Sequence, residues 1–259
     1  MTGPSVEGRR LALVLEYDGS CYGGSQIQKN TASIQGELEA ALRSLTGERP
    51  RVAFAGRTDA GVHALGQVAA FTTASRLKTE VFVRGLNAWL PDSIVVRHAA
   101  EVDEAFDPRR HASRRLYRYL IYNQPVASPL WRGRAWHVAE PLDAERMQRA
   151  AALLAGERDF AAFSRREGVS TVRRVYRCQV RARPPLVTVE MEANAFLRQQ
   201  VRRTVGALAQ VGRGKLTVAA FRGLLRRAEP ASAGPVAPPQ GVYLVRVSYP
   251  GLDLTGQMR

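Results

Sequence analysis

Val52-Ala53-Phe54-Ala55-Gly56-Arg57-Thr58-Asp59-Ala60-Gly61-Val62-His63-Ala64 runs from an apolar stretch into a polar turn, and a second apolar stretch, Val68-Ala69-Ala70-Phe71, follows it. Two apolar runs around a polar, glycine-bearing turn predict a β-hairpin. Asp-Ala-Gly suits the turn, because an Asp side chain accepts from the backbone two residues on and Gly tolerates φ > 0. The turn carries one cation (Arg57), one carboxylate (Asp59) and one imidazole (His63). Taken alone, Arg57 and Asp59 read as a surface ion pair. An ionised Asp held beside an Arg is also a group that can attack an electrophilic carbon or take a proton.

Outward from the hairpin, strand and helix patterns alternate. Residues 11–17, Leu-Ala-Leu-Val-Leu-Glu-Tyr, predict a buried strand that Asp18-Gly19-Ser20 ends. Ser33 is placed to cap a helix reaching about Leu45, with Ile34, Leu38, Ala41, Leu42 and Leu45 on one face. A helix over about residues 80–90 carries Val81, Phe82, Leu86 and Trp89, and Pro91 stops it. With a strand at 94–99, this half reads β-α-β-β-α-β. The second half gives a strand at 116–122, a helix from the N-cap Asp143 to about Leu154, and strands at 173–181 and 186–191 joined by Pro184-Pro185. A helix over 196–211 capped by Gly212, a helix from Thr217, a proline-rich loop at 228–240 and a strand at 242–247 complete it.

This order predicts an α+β protein of two ferredoxin-like β-α-β-β-α-β halves, their antiparallel sheets side by side with a cleft between them. The expected layout is a flexible tail (1–10), an N-terminal α/β domain (11–104) carrying the Asp59 turn, a linker (105–115), a C-terminal α/β domain (116–249) and a tail (250–259).

Charge points to the partner. Thirty-eight Lys and Arg against 23 Asp and Glu leave the 259 residues at +15, with a sequence pI near 10.9. A folded chain this basic meets a polyanion, and without a basic amphipathic anchor nucleic acid leads over membrane. Arginines cluster at Arg109/Arg110, Arg114/Arg115/Arg118, Arg165/Arg166, Arg173/Arg174/Arg177 and Arg198/Arg202/Arg203, with Tyr117, Tyr119 and Tyr122 interleaved. Arginine neutralises phosphates and tyrosine stacks on bases. Tyr117 and Tyr119 share one strand face and Tyr122 takes the other, so one of those faces is core. No apolar run reaches membrane-spanning length and the N-terminus lacks an apolar signal region. Two distant cysteines, Cys21 and Cys178, fit free thiols in a reduced cytoplasm.

Several chemistries drop out. Gly212-Arg213-Gly214-Lys215-Leu216-Thr217 brushes a phosphate-binding loop, but it has Ala209 where the first glycine belongs and Leu216 where a hydroxyl should hold magnesium. His63, His98, His111 and His137 have no metal-ligand spacing. No nucleophile elbow or dinucleotide fingerprint is present, so no cofactor and no metal are expected. On residues alone, three readings stay open. One is an enzyme that uses Asp59 on a flipped-out nucleotide, one is a basic RNA-binding module without catalysis, and the weakest is an RNA hydrolase using Asp59 and His63.

The block from Gly56 to Ala64 resembles, almost letter for letter, the signature of the tRNA pseudouridine synthase A family. Its companions keep the family's order: Glu16-Tyr17-Asp18-Gly19, Asn87-Ala88-Trp89-Leu90-Pro91, Arg115-Leu116-Tyr117-Arg118-Tyr119, Asp159-Phe160-Ala161-Ala162-Phe163, and Asn194-Ala195-Phe196 with Val201-Arg202 and Val205-Gly206. The resemblance covers about Leu11 to Tyr249. It implies a cofactor-free, metal-free conversion of uridine to pseudouridine at positions 38, 39 and 40 of the tRNA anticodon stem-loop, by a cytoplasmic homodimer whose basic surfaces share the tRNA. It makes Asp59 the essential carboxylate, whether by attack at C1′, attack at C6 or proton removal at C2′. Arg57 and Arg202 would pair with Asp59, and Tyr117 would stack on the uracil. The candidate RNA-binding residues are Arg109, Arg110, Arg114, Arg165, Arg166 and Arg173. One position departs: many members have Gly-Trp-Gln where this chain has Gly24-Ser25-Gln26, and no role is assigned there.

Overall fold

The computed structural model describes residues 8–165, 168 and 170–254. Of these, the residues up to Ser113 and those from Leu244 onward form one compact unit, and Arg114–Tyr243 form another. The α+β class read from element order is the one observed. Among the described residues, no helix is long and apolar enough to cross a membrane.

The first unit runs β1 (Arg9–Tyr17), α1 (Ile34–Thr46), β2 (Ala53–Phe54), β3 (His63–Thr73), α2 (Thr79–Trp89) and β4 (Ile94–Val102). Leu11, Ala12, Leu13 and Leu15 are fully buried, so β1 is covered on both faces, as its unbroken apolar run requires. It pairs antiparallel with β3 on one side (Leu13 opposite Ala69) and β4 on the other (Leu13 opposite Ala99). The short β2 lies on β3, with Phe54 opposite Ala69. Ser33 caps α1, its side chain accepting from the Gly36 N–H at 3.1 Å. Leu38 and Leu42 of α1 and Phe82 and Leu86 of α2 are buried, and the Phe82 ring sits 5.9 Å from that of Phe71. Trp89 is 61% exposed: the chain leaves helical geometry at Leu90, which takes the buried position instead.

Residues 104–113 pack onto this unit. The Phe106 ring meets those of His111 and Tyr249 edge-on, at 5.9 and 5.0 Å, and the Tyr249 hydroxyl donates to Pro108 O. The last strand, β10 (Val242–Ser248), lies next to β3 through its residues from Leu244 onward.

The second unit contains β5 (Arg114–Asn123), β6 (Trp136–Val138), α3 (Ala144–Ala152), β7 (Gly156–Asp159), β8 (Val172–Arg183), β9 (Leu186–Ala193), α4 (Gln200–Gly212) and α5 (Val218–Arg227). Its sheet runs β5-β9-β8-β7, with β6 parallel to β5 at Ile121–Trp136. Phe160, Phe163 and Phe221 form a buried aromatic core with ring centroids 5.7–6.0 Å apart.

Helix α4 starts four residues later than its apolar pattern predicts. Asn194 Oδ1 accepts from Arg174 N and Ala195 N, Gln200 Oε1 accepts from Leu197 N, and Gln199 adopts φ +60°. These side-chain bonds satisfy the N–H groups of Ala195 and Leu197 in a loop and so compete with helix. Gly212 is not the left-handed cap. It is the last helical residue, and a Cβ there would lie 2.8 Å from Met147 Sδ. The proline-rich segment 228–240 is laid along α4, with Ala237 N donating to Arg202 O and Arg202 Nε to Ala237 O.

Candidate active site

The turn between β2 and β3 is held from beneath by side chains of β1 and β3. Gln67 Nε2 donates to Gly56 O at 2.8 Å, and the buried Thr58 points its hydroxyl at Tyr17 Oη, also at 2.8 Å. Tyr17 is fully enclosed, and burial pushes its phenol up to about 12. It therefore remains a neutral hydrogen-bonding partner at every physiological pH. Asp59 follows Thr58 and is half-buried. Its backbone forms a bridge with Gly24, and Val62 N closes the turn on Asp59 O at 3.2 Å, with Gly61 at φ +75°. Arg57, on the other side of Thr58, is exposed. The turn thus buries residue 58 as an anchor and lifts residues 57 and 59 away from the core.

The second support comes from the loop before α1, residues 20–33. Ser25 is completely buried. Its hydroxyl accepts from Thr58 N at 2.9 Å, and its own N–H donates to Thr58 O at 3.1 Å. Gly24 has φ +120°, and a Cβ on it would stand 2.7 Å from Thr58 O. Only glycine allows the two chains to approach this closely. Gln35 N then donates to Ser25 O at 3.0 Å, which links the loop to the first turn of α1. The sequence assigned nothing to Ser25. The signal was its departure from the expected Trp, but the partner, a main-chain N–H at residue 58, leaves no pattern in the sequence.

His63 is buried at the start of β3, with Nδ1 3.2 Å from Gly19 N and 3.1 Å from Asp18 Oδ1. Nδ1 accepts from Gly19 when the ring proton is on Nε2 and donates to Asp18 when it carries the proton itself. In either form His63 fixes the 18–19 turn to β3.

The remaining candidates belong to other parts of the chain. Tyr117 is half-buried on β5, with its ring edge-on to Phe196 at 5.0 Å. Tyr119, two residues on, is core: it is fully buried, its hydroxyl donates to Pro238 O, and burial pushes its phenol up. Arg202 is on the first turn of α4. Arg109 and Arg110 are exposed, and their backbone N–H groups donate to Asp107 Oδ1, which holds that carboxyl below its usual range. The exposed Arg114 lays its guanidinium over the Tyr176 ring at 4.3 Å. Arg165 is exposed, and its charge reaches Arg203. Arg173 spends Nη1 on Ser170 O and Val172 O. Arg166 lies outside the described residues.

Comparison with known proteins gives the class first. A sequence profile described as tRNA pseudouridine synthase matches residues 13–109 and 150–250, spanning both Asp59 and Arg202. The class is that of RNA-modifying isomerases. The chain is similar to the tRNA pseudouridine synthase A of Geotalea uraniireducens (strain Rf4), at 45% identity over 93% of this chain and 100% of that protein. It is 47% identical to the protein of that name from Roseiflexus castenholzii (strain DSM 13941 / HLO8), over 93% of this chain and 91% of the other. It is 41% identical to that of Thermoanaerobacter sp. (strain X514), over 93% and 100%. The chain belongs to the tRNA pseudouridine synthase family.

Proposed function

We propose that the chain isomerises uridine to pseudouridine at positions 38, 39 and 40 of the tRNA anticodon stem-loop, with Asp59 as the essential carboxylate and no cofactor. The reaction breaks the N1–C1′ bond, turns the uracil and rejoins it through C5. Asp59 acts at C1′, at C6 or on the C2′ proton. Arg57 and Arg202 are the site's cations, and Tyr117 is the ring that stacks on the uracil. The observation that carries this reading is the Asp59 turn. It is a half-buried carboxylate on a glycine-closed turn whose neighbour Thr58 is locked by side-chain and backbone hydrogen bonds. Such preorganisation is what a catalytic group needs and a surface ion pair does not.

Arg109, Arg110, Arg114, Arg165, Arg166 and Arg173 are proposed as RNA contacts, in a cytoplasmic homodimer. Sedimentation at working concentration tests the dimer, which should run at twice 28.5 kDa. The activity is tested by tritium release from tRNA carrying C5-labelled uridine. Wild-type protein should release the label, and Asp59→Asn and Asp59→Ala should lose at least about a thousandfold in rate. Retained turnover in either variant would falsify the role of Asp59.

A further inference from the structure

We infer that Ser25 is a positioning residue for the reaction, setting the height and direction of Asp59 by receiving the main-chain N–H of Thr58. This rests on the catalytic reading of Asp59 and adds to it a residue from a different part of the chain.

The geometry is specific. Ser25 and Thr58 exchange two hydrogen bonds, Thr58 N to Ser25 Oγ at 2.9 Å and Ser25 N to Thr58 O at 3.1 Å. The next pair along, Gly24 and Asp59, forms the bridge. Two short segments, 24–25 and 58–59, are thus zipped antiparallel, and one of the rungs is a side chain. Ser25 is completely buried, so water does not reach the Thr58 N–H to replace the hydroxyl. A buried N–H that loses its acceptor must move or remain unsatisfied, and the residue directly after it is Asp59. The side chain of Thr58 is meanwhile tied to Tyr17 at 2.8 Å. Thr58 is therefore held at three points, through its hydroxyl by β1, through its N–H by the Ser25 hydroxyl and through its carbonyl by the Ser25 N–H. The hydroxyl bond fixes the side chain, and the N–H bond fixes the peptide plane that leads towards Arg57. Removing the hydroxyl releases the 57–58 peptide while the Ser25 N–H and the Gly24 bridge still hold the far side of Thr58, so the turn tilts and shifts the carboxylate while the fold stands. Ser25 touches no reacting atom in this scheme. It acts through the backbone.

The test compares Ser25→Ala, Ser25→Thr and Asp59→Asn in full-length protein, with single-turnover rate, tRNA affinity and thermal midpoint measured for each. Ser25→Ala should lower the rate by roughly ten- to a hundredfold, the scale of a small misplacement of a catalytic group, with tRNA affinity within about twofold of wild type. Ser25→Thr keeps the hydroxyl and should recover the rate to within about threefold, even where its extra methyl lowers the thermal midpoint. Should Ser25→Ala not fold, Ser25→Gly takes its place and should likewise be slower than Ser25→Thr. A wild-type rate in Ser25→Ala, or rates in the Ala and Thr variants that simply follow their thermal midpoints, would overturn the inference and leave Asp59 standing. Full activity in Asp59→Asn would instead remove the reading on which the inference rests.

Discussion

At the scale of single residues, the protein spends buried polar groups on one short turn. Tyr17, Thr58, Gln67 and Ser25 are each under a tenth exposed and each bonded to the segment that presents Asp59. Tyr17 gives this a thermodynamic signature. Its phenol ionises near 10 when exposed and near 12 in the folded protein, so above pH 10 the unfolded chain loses this proton first. The stability it contributes is complete below pH 10 and is lost as pH rises through 12, by roughly 3 kcal/mol. Tyr17→Phe removes that group, and its hydrogen bonds with it, at a cost of about 1–2 kcal/mol at neutral pH. Urea unfolding should therefore show the wild type ahead of Tyr17→Phe at pH 7, and the gap should close or reverse by pH 12. A gap independent of pH would mean that Tyr17 ionises as easily folded as unfolded. As a candidate, Asp59 stood out in the sequence, because a nine-residue block surrounds it. Ser25 did not, because its hydroxyl answers to a backbone N–H 33 positions away, and any residue supplies such an N–H. Side chains that serve the main chain leave little trace in a single sequence.

At the scale of elements, what could be read depended on length and burial. Strand β1 and helix α1 were plain, the first from an unbroken apolar run and the second from Ser33 and its apolar stripe. Strand β7, Gly-Glu-Arg-Asp, and the three-residue β6 carry no such pattern, since their strand geometry comes from pairing with β8 and β5. The same holds for the segment 228–240, read correctly as a loop but with nothing to show that it would dock on α4. That docking is close. A Cβ on Gly206 would stand 2.0 Å from Pro235 O, a backbone atom that cannot swing aside. Gly206→Ala should therefore destabilise by about 1–3 kcal/mol or more, despite the better helix propensity of alanine. A thermal midpoint raised by the substitution would mean that the loop is not packed on α4. On the first unit, Asn87 gives a second element-scale test. Its amide both donates to Val96 O at 2.9 Å and accepts from Val96 N at 2.7 Å, acting as a one-residue strand partner for β4. Asn87→Ala should cost about 1–3 kcal/mol in chemical denaturation, whereas Asn87→Asp, which keeps the acceptor alone, should cost less than the alanine.

At the scale of the whole molecule, the excess of fifteen positive charges speaks about tRNA before any site does. If Arg109, Arg110, Arg114, Arg165 and Arg173 each neutralise a phosphate, log affinity for tRNA should fall against log salt with a slope of roughly −3 or steeper. Arg109→Ala with Arg110→Ala should flatten that slope by about one to two while the rate at saturating tRNA stays at the wild-type value, measured by titration at several salt concentrations. A flat salt dependence would contradict a phosphate-reading surface. Element order led to an expected second domain running on to residue 249. The return of the residues from Leu244 to the first unit was not legible, since strand pairing over such a separation depends on partners and not on local pattern. The central claim remains chemical: a carboxylate on a rigid turn converts uridine to pseudouridine in the anticodon stem-loop. The most direct measurement is site-by-site mapping of pseudouridine in unmodified tRNA treated with wild-type protein and with Asp59→Asn. The account predicts new pseudouridine at positions 38, 39 and 40 with the wild type and none with the variant. Pseudouridine formed by Asp59→Asn, or tRNA bound by the wild type and left unconverted at those positions, would contradict it.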